Sequence, residues 1–319
     1  MHLSDLPADK LAFVFPGQGS QQPGMGQAVH DASPAARAIF AEADRVLGRP
    51  MTDLCLTAPA EVLEDTATAQ PAILTVSVAI LEAIRERALS EGRTVMPIVV
   101  AGHSLGEFTA MVAAGVMDFP VALRLVQERG ALMRQAGIER PGGMAAVIGL
   151  DDEELYEICR RASDHGIVTV ANANCPGQVV ISGELPALTR AMELATEAGA
   201  KRVLRLPVSI ASHSPLMSSV AVRLGELIAD APMRTARVPI VANVTGKAIQ
   251  TVDEITSELT TQVEQPVNWT KSVREMVSRG ATTFVEIGPG KVLGGLIRRI
   301  DRNVTVIPGQ EVLSGEPTR

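Results

Sequence analysis

The sequence predicts an α/β protein in which a smaller ferredoxin-like module is inserted into a larger layered domain. Two observations carry this prediction. Short apolar strand-like runs alternate with helical patterns towards both ends of the chain, which is typical of layered α/β domains. Between residues 140 and 208 the order becomes strand–helix–strand–strand–helix–strand, as in a ferredoxin-like module. We therefore predict a discontinuous large domain, 1–139 and 209–319, and an inserted domain, 140–208.

The elements before residue 140 begin with the apolar run 11–15, which fits a buried strand. A turn rich in Pro and Gly follows at 16–21. Ser33 is suited to cap the next helix, with Pro34 at its first position. The pattern then predicts, in order, helices at 33–47 and 70–87, a strand at 98–101, and helices at 107–114 and 120–136.

The inserted module and the return to the large domain follow in the same way. The module is predicted to contain strands at 144–149, 168–172, 178–182 and 201–208 and helices at 151–162 and 185–198. After it, the sequence predicts a helix at 215–229, a strand at 238–244, a helix at 269–278, a strand at 283–287 and a helix at 292–300. Strands alternating with helices on both sides of the module indicate one layered α/β domain.

The composition is that of a globular protein. Of 319 residues, 46% are apolar and 20% charged, a balance that argues against disorder. A formal net charge of −7 argues against nucleic acid, because no long basic stripe offsets it. Aromatic residues make up only 3%, so Ala, Val, Leu, Ile and Met must build the core.

Sequence signals for export, membranes and metals are weak. Residues 1–5 lack the basic start of a signal peptide, and no apolar run approaches the roughly 20 residues that span a bilayer. Cys55, Cys159 and Cys175 are widely spaced and are interpreted as reduced thiols. The histidines do not lie at metal-ligand spacing, and no CxxC pair occurs. We expect a cytoplasmic protein with no metal, no cofactor and no membrane partner.

Residues 102–106, Gly-His-Ser-Leu-Gly, carry the pattern Gly-x-Ser-x-Gly between a predicted strand and a predicted helix. In a nucleophile elbow the serine lies on a tight, strained turn, and the flanking glycines leave room for that backbone. The following helix directs its N–H groups at the reacting centre, where negative charge develops. The pattern is short and occurs by chance in loops, but this context favours Ser104 as a nucleophile.

Two backbone N–H groups are candidates for the oxyanion hole. The N–H of Leu105 follows the nucleophile, the position that supplies one donor in this architecture. The second donor should come from a loop after an early strand, and the N–H of Gln18 in the turn 16–21 has that placement. A phosphate-binding loop is the weaker interpretation of this turn, since no Lys-Ser or Lys-Thr follows the glycines; an ordinary turn stays open.

A serine hydroxyl needs a base at neutral pH, and His213 is the candidate because it lies in a short link between a predicted strand and helix. His2 and His30 lie near the amino terminus in polar surroundings, and His165 falls in the inserted module. We assign His103 a supporting role near the site. No acidic residue after His213 stands out as a triad member, but a dyad works if a carbonyl or neutral amide orients the imidazole.

Six segments together resemble the malonyl-CoA:acyl carrier protein transacylases of the stand-alone bacterial type, relatives of the acyltransferase domains of polyketide synthases. They are Phe-Pro-Gly-Gln-Gly-Ser-Gln at 15–21, Gly-His-Ser-Leu-Gly-Glu at 102–107, Pro-Gly-Gln-Val-Val-Ile-Ser-Gly at 176–183, Ser-His at 212–213, Pro-Val-Asn-Trp at 266–269 and Glu-Ile-Gly-Pro-Gly-Lys-Val-Leu at 286–293. These segments extend over nearly the whole chain in family order. The resemblance implies an α/β-hydrolase-like large domain with a ferredoxin-like insertion.

The resemblance also implies a ping-pong reaction in which Ser104, activated by His213, attacks the thioester of malonyl-CoA. The phosphopantetheine thiol of acyl carrier protein then accepts the malonyl group, in fatty-acid or polyketide synthesis. The N–H groups of Gln18 and Leu105 would hold the oxyanion, and a backbone carbonyl that maps to Gln262 would orient the imidazole. Malonyl-CoA and acyl carrier protein are the expected partners of a protein that we expect to be a monomer.

Three side chains match substrate-binding positions of the family. Arg129 matches the arginine that binds the free malonyl carboxylate, and a planar guanidinium does so through two parallel, charge-assisted hydrogen bonds. Without the resemblance, a solvated helix arginine would be the preferred interpretation. Gln70 and Asn174 match polar positions that line the same pocket, near which we also place His103.

Three alternatives stay open. A serine esterase or thioesterase would share the nucleophile, base and oxyanion hole but would not need a second-carboxylate arginine or a carrier-protein surface. A trans-acting polyketide acyltransferase with methylmalonyl or relaxed specificity is another, because Ile-Ala-Ser-His at 210–213 departs from both polyketide patterns, although Leu105 resembles malonyl-specific members. A non-catalytic binding module fits poorly with an intact Ser104 and His213.

Carrier proteins of this system are acidic, so an acidic chain would need a local basic patch to bind one. Two candidates are the run Lys-Arg-Val-Leu-Arg at 201–205, and Arg298 and Arg299 with Arg302. A solubilising charged face is the commoner explanation for either group.

Overall fold

The computed structural model describes Leu6, Pro7 and residues 9–314. Residues 1–5, which include His2 and the start judged for export signals, lie outside the described residues. The strands are β1 (Leu11–Phe15), β2 (Val99–Gly102), β3 (Gly142–Ile148), β4 (Val168–Cys175), β5 (Gln178–Glu184), β6 (Arg202–Arg205), β7 (Ile240–Val241), β8 (Ala248–Ile249), β9 (Thr283–Glu286) and β10 (Thr305–Pro308).

The helices are α1 (Gln27–Ala32), α2 (Pro34–Leu47), α3 (Met51–Thr57), α4 (Ala60–Glu64), α5 (Thr66–Ser90), α6 (Gly106–Ala113), α7 (Phe119–Glu139), α8 (Asp152–Ala162), α9 (Leu185–Glu197), α10 (Ser218–Ala229), α11 (Val252–Thr261), α12 (Trp269–Ser278), α13 (Val292–Ile300) and α14 (Gly309–Ser314). Short 3-10 turns lie at Ser163–His165 and Pro215–Met217. As predicted, Ser33 caps α2, accepting a hydrogen bond from the Ala36 N–H at 3.0 Å.

The larger sheet has the strand order β10-β9-β1-β2-β7-β8. Its neighbouring strands are parallel except for the β7–β8 pair. Every residue of β1 is buried, because helices cover both faces of such a sheet and its strands become continuous apolar runs. The carboxyl ends of β1 and β2 lie side by side, with Phe15 paired to Gly102, and this edge positions the candidate site.

The second sheet is antiparallel, with the order β4-β5-β3-β6. Its elements follow the chain order β3, α8, β4, β5, α9, β6, the ferredoxin-like order. The predicted fold class, an α/β protein with two such parts, is confirmed; the domain limits 140–208 stay a prediction. The module joins the large part through Val267, which exchanges backbone hydrogen bonds with Ala171 and Ala173 of β4.

Helix α5 corrects one expectation about apolar runs. It is 25 residues long and, by length and composition alone, apolar enough to cross a membrane. The expectation that no run approaches this length is therefore wrong. However, 83% of its apolar window is buried inside the protein, so α5 is a core helix.

Several predicted boundaries also change. The strand predicted at 238–244 is reduced to Ile240–Val241, and the helix predicted at 215–229 starts with the 3-10 turn. The most consequential omission is α11, because its carboxyl end reaches the site. Thr251 and Glu254 form a capping box at its start, a signal that the sequence carries but that the prediction did not use.

Candidate active site

Ser104 lies at the sharp turn between β2 and α6, with a φ of 51°. Both flanking glycines are required by close approach of the backbone. A Cβ on Gly102 would lie 1.9 Å from the Gly106 carbonyl carbon, and a Cβ on Gly106 would lie 2.1 Å from the Phe15 oxygen. The Ser104 N–H donates to Asn243 Oδ1 at 2.7 Å, which anchors the turn from the neighbouring loop.

The Ser104 hydroxyl and the His213 imidazole form a hydrogen bond, with 2.8 Å between Oγ and Nε2. On the other side of the ring, Nδ1 faces the carbonyl oxygens of Gln262 at 2.9 Å and Gln265 at 3.1 Å. Two acceptors indicate that Nδ1 carries the proton, which leaves Nε2 to accept from the serine. Gln262 is the C-cap of α11, where helix carbonyls carry partial negative charge that favours an imidazolium. The Gln265 carbonyl was not predicted.

Burial keeps His213 neutral. Its side chain is 3% exposed; desolvation first, and the nearby Arg129 charge second, lower its pKa to about 3. A neutral imidazole that touches a serine hydroxyl can accept that proton. The pKa of His103 is also lowered by burial.

The turn that contains Gln18 packs directly on the nucleophile elbow. A Cβ on Gly17 would lie 2.3 Å from the His103 oxygen and 3.7 Å from the Leu105 nitrogen. Among the hydrogen bonds of residues 9–314, neither the N–H of Gln18 nor that of Leu105 donates. Both N–H groups are therefore without an acceptor in this part of the chain, and their assignment to an oxyanion hole stays a prediction.

Arg129 places a buried charge beside the serine and the imidazole. It projects from α7 and is only 1% exposed, which excludes a solvated helix arginine. Its Nη1 donates to Gln70 Oε1 at 2.7 Å, and its Nη2 donates to Ser104 Oγ at 3.1 Å and to Gln262 Oε1 at 2.9 Å. Its buried Nε has no hydrogen-bond partner in the described part of the chain. Burial lowers its pKa to about 10, so it stays charged near neutral pH.

Gln70 is held in place by further polar contacts. Its Nε2 donates to Thr66 Oγ1 at 2.8 Å, and the Thr66 hydroxyl donates to Gln18 Oε1 at 2.9 Å. Because its nitrogen is directed at Thr66, its oxygen faces Arg129. The chain of contacts thus links the Gln18 turn to the guanidinium, and Thr66 was not predicted.

His103 and Asn174 meet where the two sheets approach each other. His103 Nε2 donates to Asn174 Oδ1 at 2.8 Å, and the imidazole lies against the Trp269 ring with 5.5 Å between centroids. The residue next to the nucleophile is thereby fixed to β4 of the smaller sheet. Their contact with substrate stays a prediction.

A buried carboxyl group beneath the elbow was also missed. Glu107 is 0% exposed. Its Oε1 accepts from the Asn243 N–H at 3.0 Å, and its Oε2 accepts from Gln262 Nε2 at 2.6 Å. Burial and, second, the charge of Glu258 raise its pKa. Glu107 belongs to the Gly-His-Ser-Leu-Gly-Glu segment, but a helix carboxyl is more often exposed, so the sequence held no sign of its burial.

The candidate basic patches lie on two different surfaces. Lys201, Arg202 and Arg205 are exposed on or beside β6, which is the edge strand farthest from β4. Arg299 and Arg302 are exposed at the end of α13, and Arg299 Nη1 donates to Gln178 Oε1 of the smaller sheet at 2.6 Å.

The chain matches known proteins along almost its full length. A family model described as "Acyl transferase domain" matches residues 12–312. The malonyl CoA-acyl carrier protein transacylase of Escherichia coli (strain K12) is 44% identical over 296 residues, which cover 93% of this chain and 94% of that protein.

Solved structures agree with this match. The acyl carrier protein S-malonyltransferase of Vibrio cholerae has 42% identity and a TM-score of 0.88, with 94% of this chain and 96% of that chain covered. A malonyl-transacylase solved in complex with its type II polyketide synthase acyl-carrier protein has 40% identity and a TM-score of 0.90, with 96% of this chain and 100% of that chain covered. The chain belongs to the malonyl CoA-acyl carrier protein transacylases, a group within the acyl transferase domain family.

Proposed function

We propose that this protein transfers a malonyl group from malonyl-CoA to the phosphopantetheine thiol of acyl carrier protein through an ester on Ser104. The observation that carries the proposal is the environment of Arg129. A fully buried guanidinium lies 3.1 Å from the serine oxygen with only neutral acceptors and one unpartnered nitrogen. Burying such a charge is costly unless an anion completes its partners, and the free malonyl carboxylate would do so.

The first half-reaction begins with attack of Ser104 Oγ on the thioester carbonyl carbon. The hydroxyl proton passes to His213 Nε2, and the N–H groups of Gln18 and Leu105 receive the oxyanion. When the tetrahedral intermediate collapses, the C–S bond breaks and His213 returns the proton to the CoA sulfur. The carbonyl oxygens of Gln262 and Gln265 stabilise the transient imidazolium through Nδ1.

The second half-reaction repeats these steps with a new nucleophile. His213 takes the proton of the phosphopantetheine thiol, and the sulfur attacks the ester on Ser104. The C–O bond then breaks and the serine recovers its proton from His213. No resident cofactor enters this proposal, because malonyl-CoA is the substrate and phosphopantetheine belongs to the carrier.

Gln70, Asn174 and His103 line the acyl pocket in this proposal. Gln70 presents its oxygen to Arg129 and fixes one edge of the guanidinium. The paired His103 and Asn174 close the pocket on the side of the smaller sheet. We further propose a monomeric cytoplasmic enzyme; the three buried free thiols fit a reducing compartment.

Intact-protein mass measurements test the proposal. The protein is incubated with malonyl-CoA, methylmalonyl-CoA or acetyl-CoA and weighed before and after addition of holo carrier protein. We expect a malonyl adduct that is absent in Ser104→Ala and passes to the carrier. Rapid release to water without carrier acylation would identify a hydrolase, and an equal methylmalonyl adduct would identify relaxed specificity. In Arg129→Ala the preference for malonyl over acetyl should disappear; an unchanged preference would refute the carboxylate-binding role.

A further inference from the structure

The side-chain amide of Gln262 connects two buried, opposite charges that do not touch. Its Nε2 donates to Glu107 Oε2 at 2.6 Å and to the Ser104 carbonyl oxygen at 2.9 Å, and its Oε1 accepts from Arg129 Nη2 at 2.9 Å. Arg129 is 1% exposed and Glu107 is 0% exposed. No direct hydrogen bond or ion pair joins these two side chains within the described residues.

The surroundings of Glu107 call for a group that only accepts hydrogen bonds. One carboxyl oxygen meets the Asn243 N–H and the other meets Gln262 Nε2. A glutamine would direct an N–H at one of these donors, and a protonated carboxyl would carry a proton on one of the two accepting oxygens. The ionised carboxylate satisfies both contacts as an acceptor; burial and the Glu258 charge raise the pKa of Glu107, while the opposite charge of Arg129, whose own pKa Glu107 raises, favours the ionised form.

We infer that Glu107 is a positioning residue, which orients the Gln262 amide and balances the Arg129 charge across that amide. This inference rests on the proposed function, in which Arg129 binds the malonyl carboxylate. The Glu107 carboxyl and the Ser104 carbonyl both accept from Nε2, so the Gln262 oxygen must face the guanidinium. If the amide were flipped, its N–H groups would face the N–H groups of Arg129.

The interposed amide also explains why the two charges are kept apart. A carboxylate that bound Arg129 directly would take two parallel N–H groups of the guanidinium, the same groups that a malonyl carboxylate needs. The Gln262 oxygen occupies only Nη2, shared with Ser104 Oγ, and leaves Nε unpartnered. The arrangement therefore provides a counter-charge without an internal competitor for the substrate.

Glu107→Gln tests this role, with Glu258→Gln as the matched control. Both variants remove a buried carboxylate near α11, but Glu258 accepts from the Val244 N–H and does not contact the Gln262 side chain. For Glu107→Gln we expect the ratio of kcat/KM for malonyl-CoA over acetyl-CoA to fall about tenfold or more, mainly through the malonyl-CoA KM. Glu258→Gln should keep the wild-type ratio.

Gln262→Met provides a second test that does not remove a charge. It eliminates the amide but keeps the backbone carbonyl that holds His213, so it should lower the same ratio while the serine still reacts with acetyl-CoA. Thermal unfolding of each variant checks that it is folded. The inference would be overturned if kcat/KM fell equally for malonyl-CoA and acetyl-CoA, or if folded Glu107→Gln kept the wild-type ratio of the two. If the wild type itself showed no malonyl preference, the proposed function would fail instead.

Discussion

Ser104 and His213 share a hydrogen bond of 2.8 Å and an unusual backbone conformation. With φ values of 51° and 58°, they are the two non-glycine residues of positive φ in the described part of the chain. A side chain in this left-handed region costs roughly 1–2 kcal/mol, and such strain gathers at functional sites. Both strained turns are held by distant loop residues: Asn243, between β7 and β8, accepts from the Ser104 N–H, and the Val263 oxygen, just after α11, accepts from the His213 N–H.

Relief of strain at Ser104 should be measurable as stability. Ser104→Gly and Ser104→Ala both remove the nucleophile and its hydrogen bonds, but only glycine adopts the left-handed conformation without cost. We expect Ser104→Gly to exceed Ser104→Ala by about 1 kcal/mol in the free energy of unfolding. Denaturant titration measures this difference, and equal stabilities would contradict a strained elbow.

The pH dependence of serine reactivity should follow the buried state of His213. Its pKa is lowered from 6.5 to about 3, so the imidazole stays neutral well below neutral pH. Labelling of Ser104 by an uncharged serine-directed phosphonate should show no inflection near the ordinary histidine pKa. In Arg129→Ala the loss of the nearby charge should raise the pKa of His213, so the acid limb of the labelling profile should move to higher pH. An inflection near 6.5 in the wild type would contradict the neutral buried base.

The same shift links stability to pH. The folded state releases the His213 proton more readily than the unfolded state, so the unfolded state binds more protons below the ordinary pKa of 6.5. The contribution of this histidine is fully present above that value and is lost as the pH falls towards about 3. We expect the free energy of unfolding of His213→Gln, measured by urea titration, to fall less than that of the wild type as the pH is lowered over this range. A parallel acid dependence in both proteins would argue against the shift.

The packing of Gly17 on the elbow predicts a catalytic defect. In Gly17→Ala the new Cβ would lie 2.3 Å from the His103 oxygen, so the Gln18 turn must move away from the elbow. Loss of one oxyanion donor lowers kcat on the order of 100-fold, and we expect this loss in malonyl-CoA turnover with little change in KM. Gly295→Ala is the control, because a Cβ there meets no atom within 4 Å.

Carrier-protein binding should depend on the end of α13. Arg299 contacts Gln178, which pairs with Cys175 at the end of β4, whereas Lys201 and Arg202 lie on or beside β6, at the opposite edge of the smaller sheet. If the proposed function holds, Arg299→Glu with Arg302→Glu should raise the KM for carrier protein about tenfold. Arg298 is left intact because its Nη2 supports the Val306 oxygen. Charge reversal at Lys201 and Arg202 should raise this KM less. If it raised the KM more, the carrier-protein surface would lie at β6 instead.

Local patterns predicted the elements whose signals lie within their own residues. Helices α12 and α13 have the predicted limits 269–278 and 292–300, because their apolar residues recur at helical spacing. The short strand β7 differs from its predicted limits. Its two residues become a strand because they pair with β2 and β8, not because they belong to a longer apolar run. The glycines around Ser104, like the helical patterns of α12 and α13, are a local signal, and they predicted the tight turn.

The sequence by itself determined the strand–turn–helix around Ser104, a histidine in a later link and the order of the inserted module, because these depend on local spacing. The tertiary structure decided the electrostatics of the site. Gln70 and Gln262 reach Arg129 from 59 and 133 positions away, and Glu107 acts through one of them. Whether an arginine is solvated or a carboxyl buried depends on which distant side chains surround it, and desolvation, which sets these charges, arises only when the chain has folded.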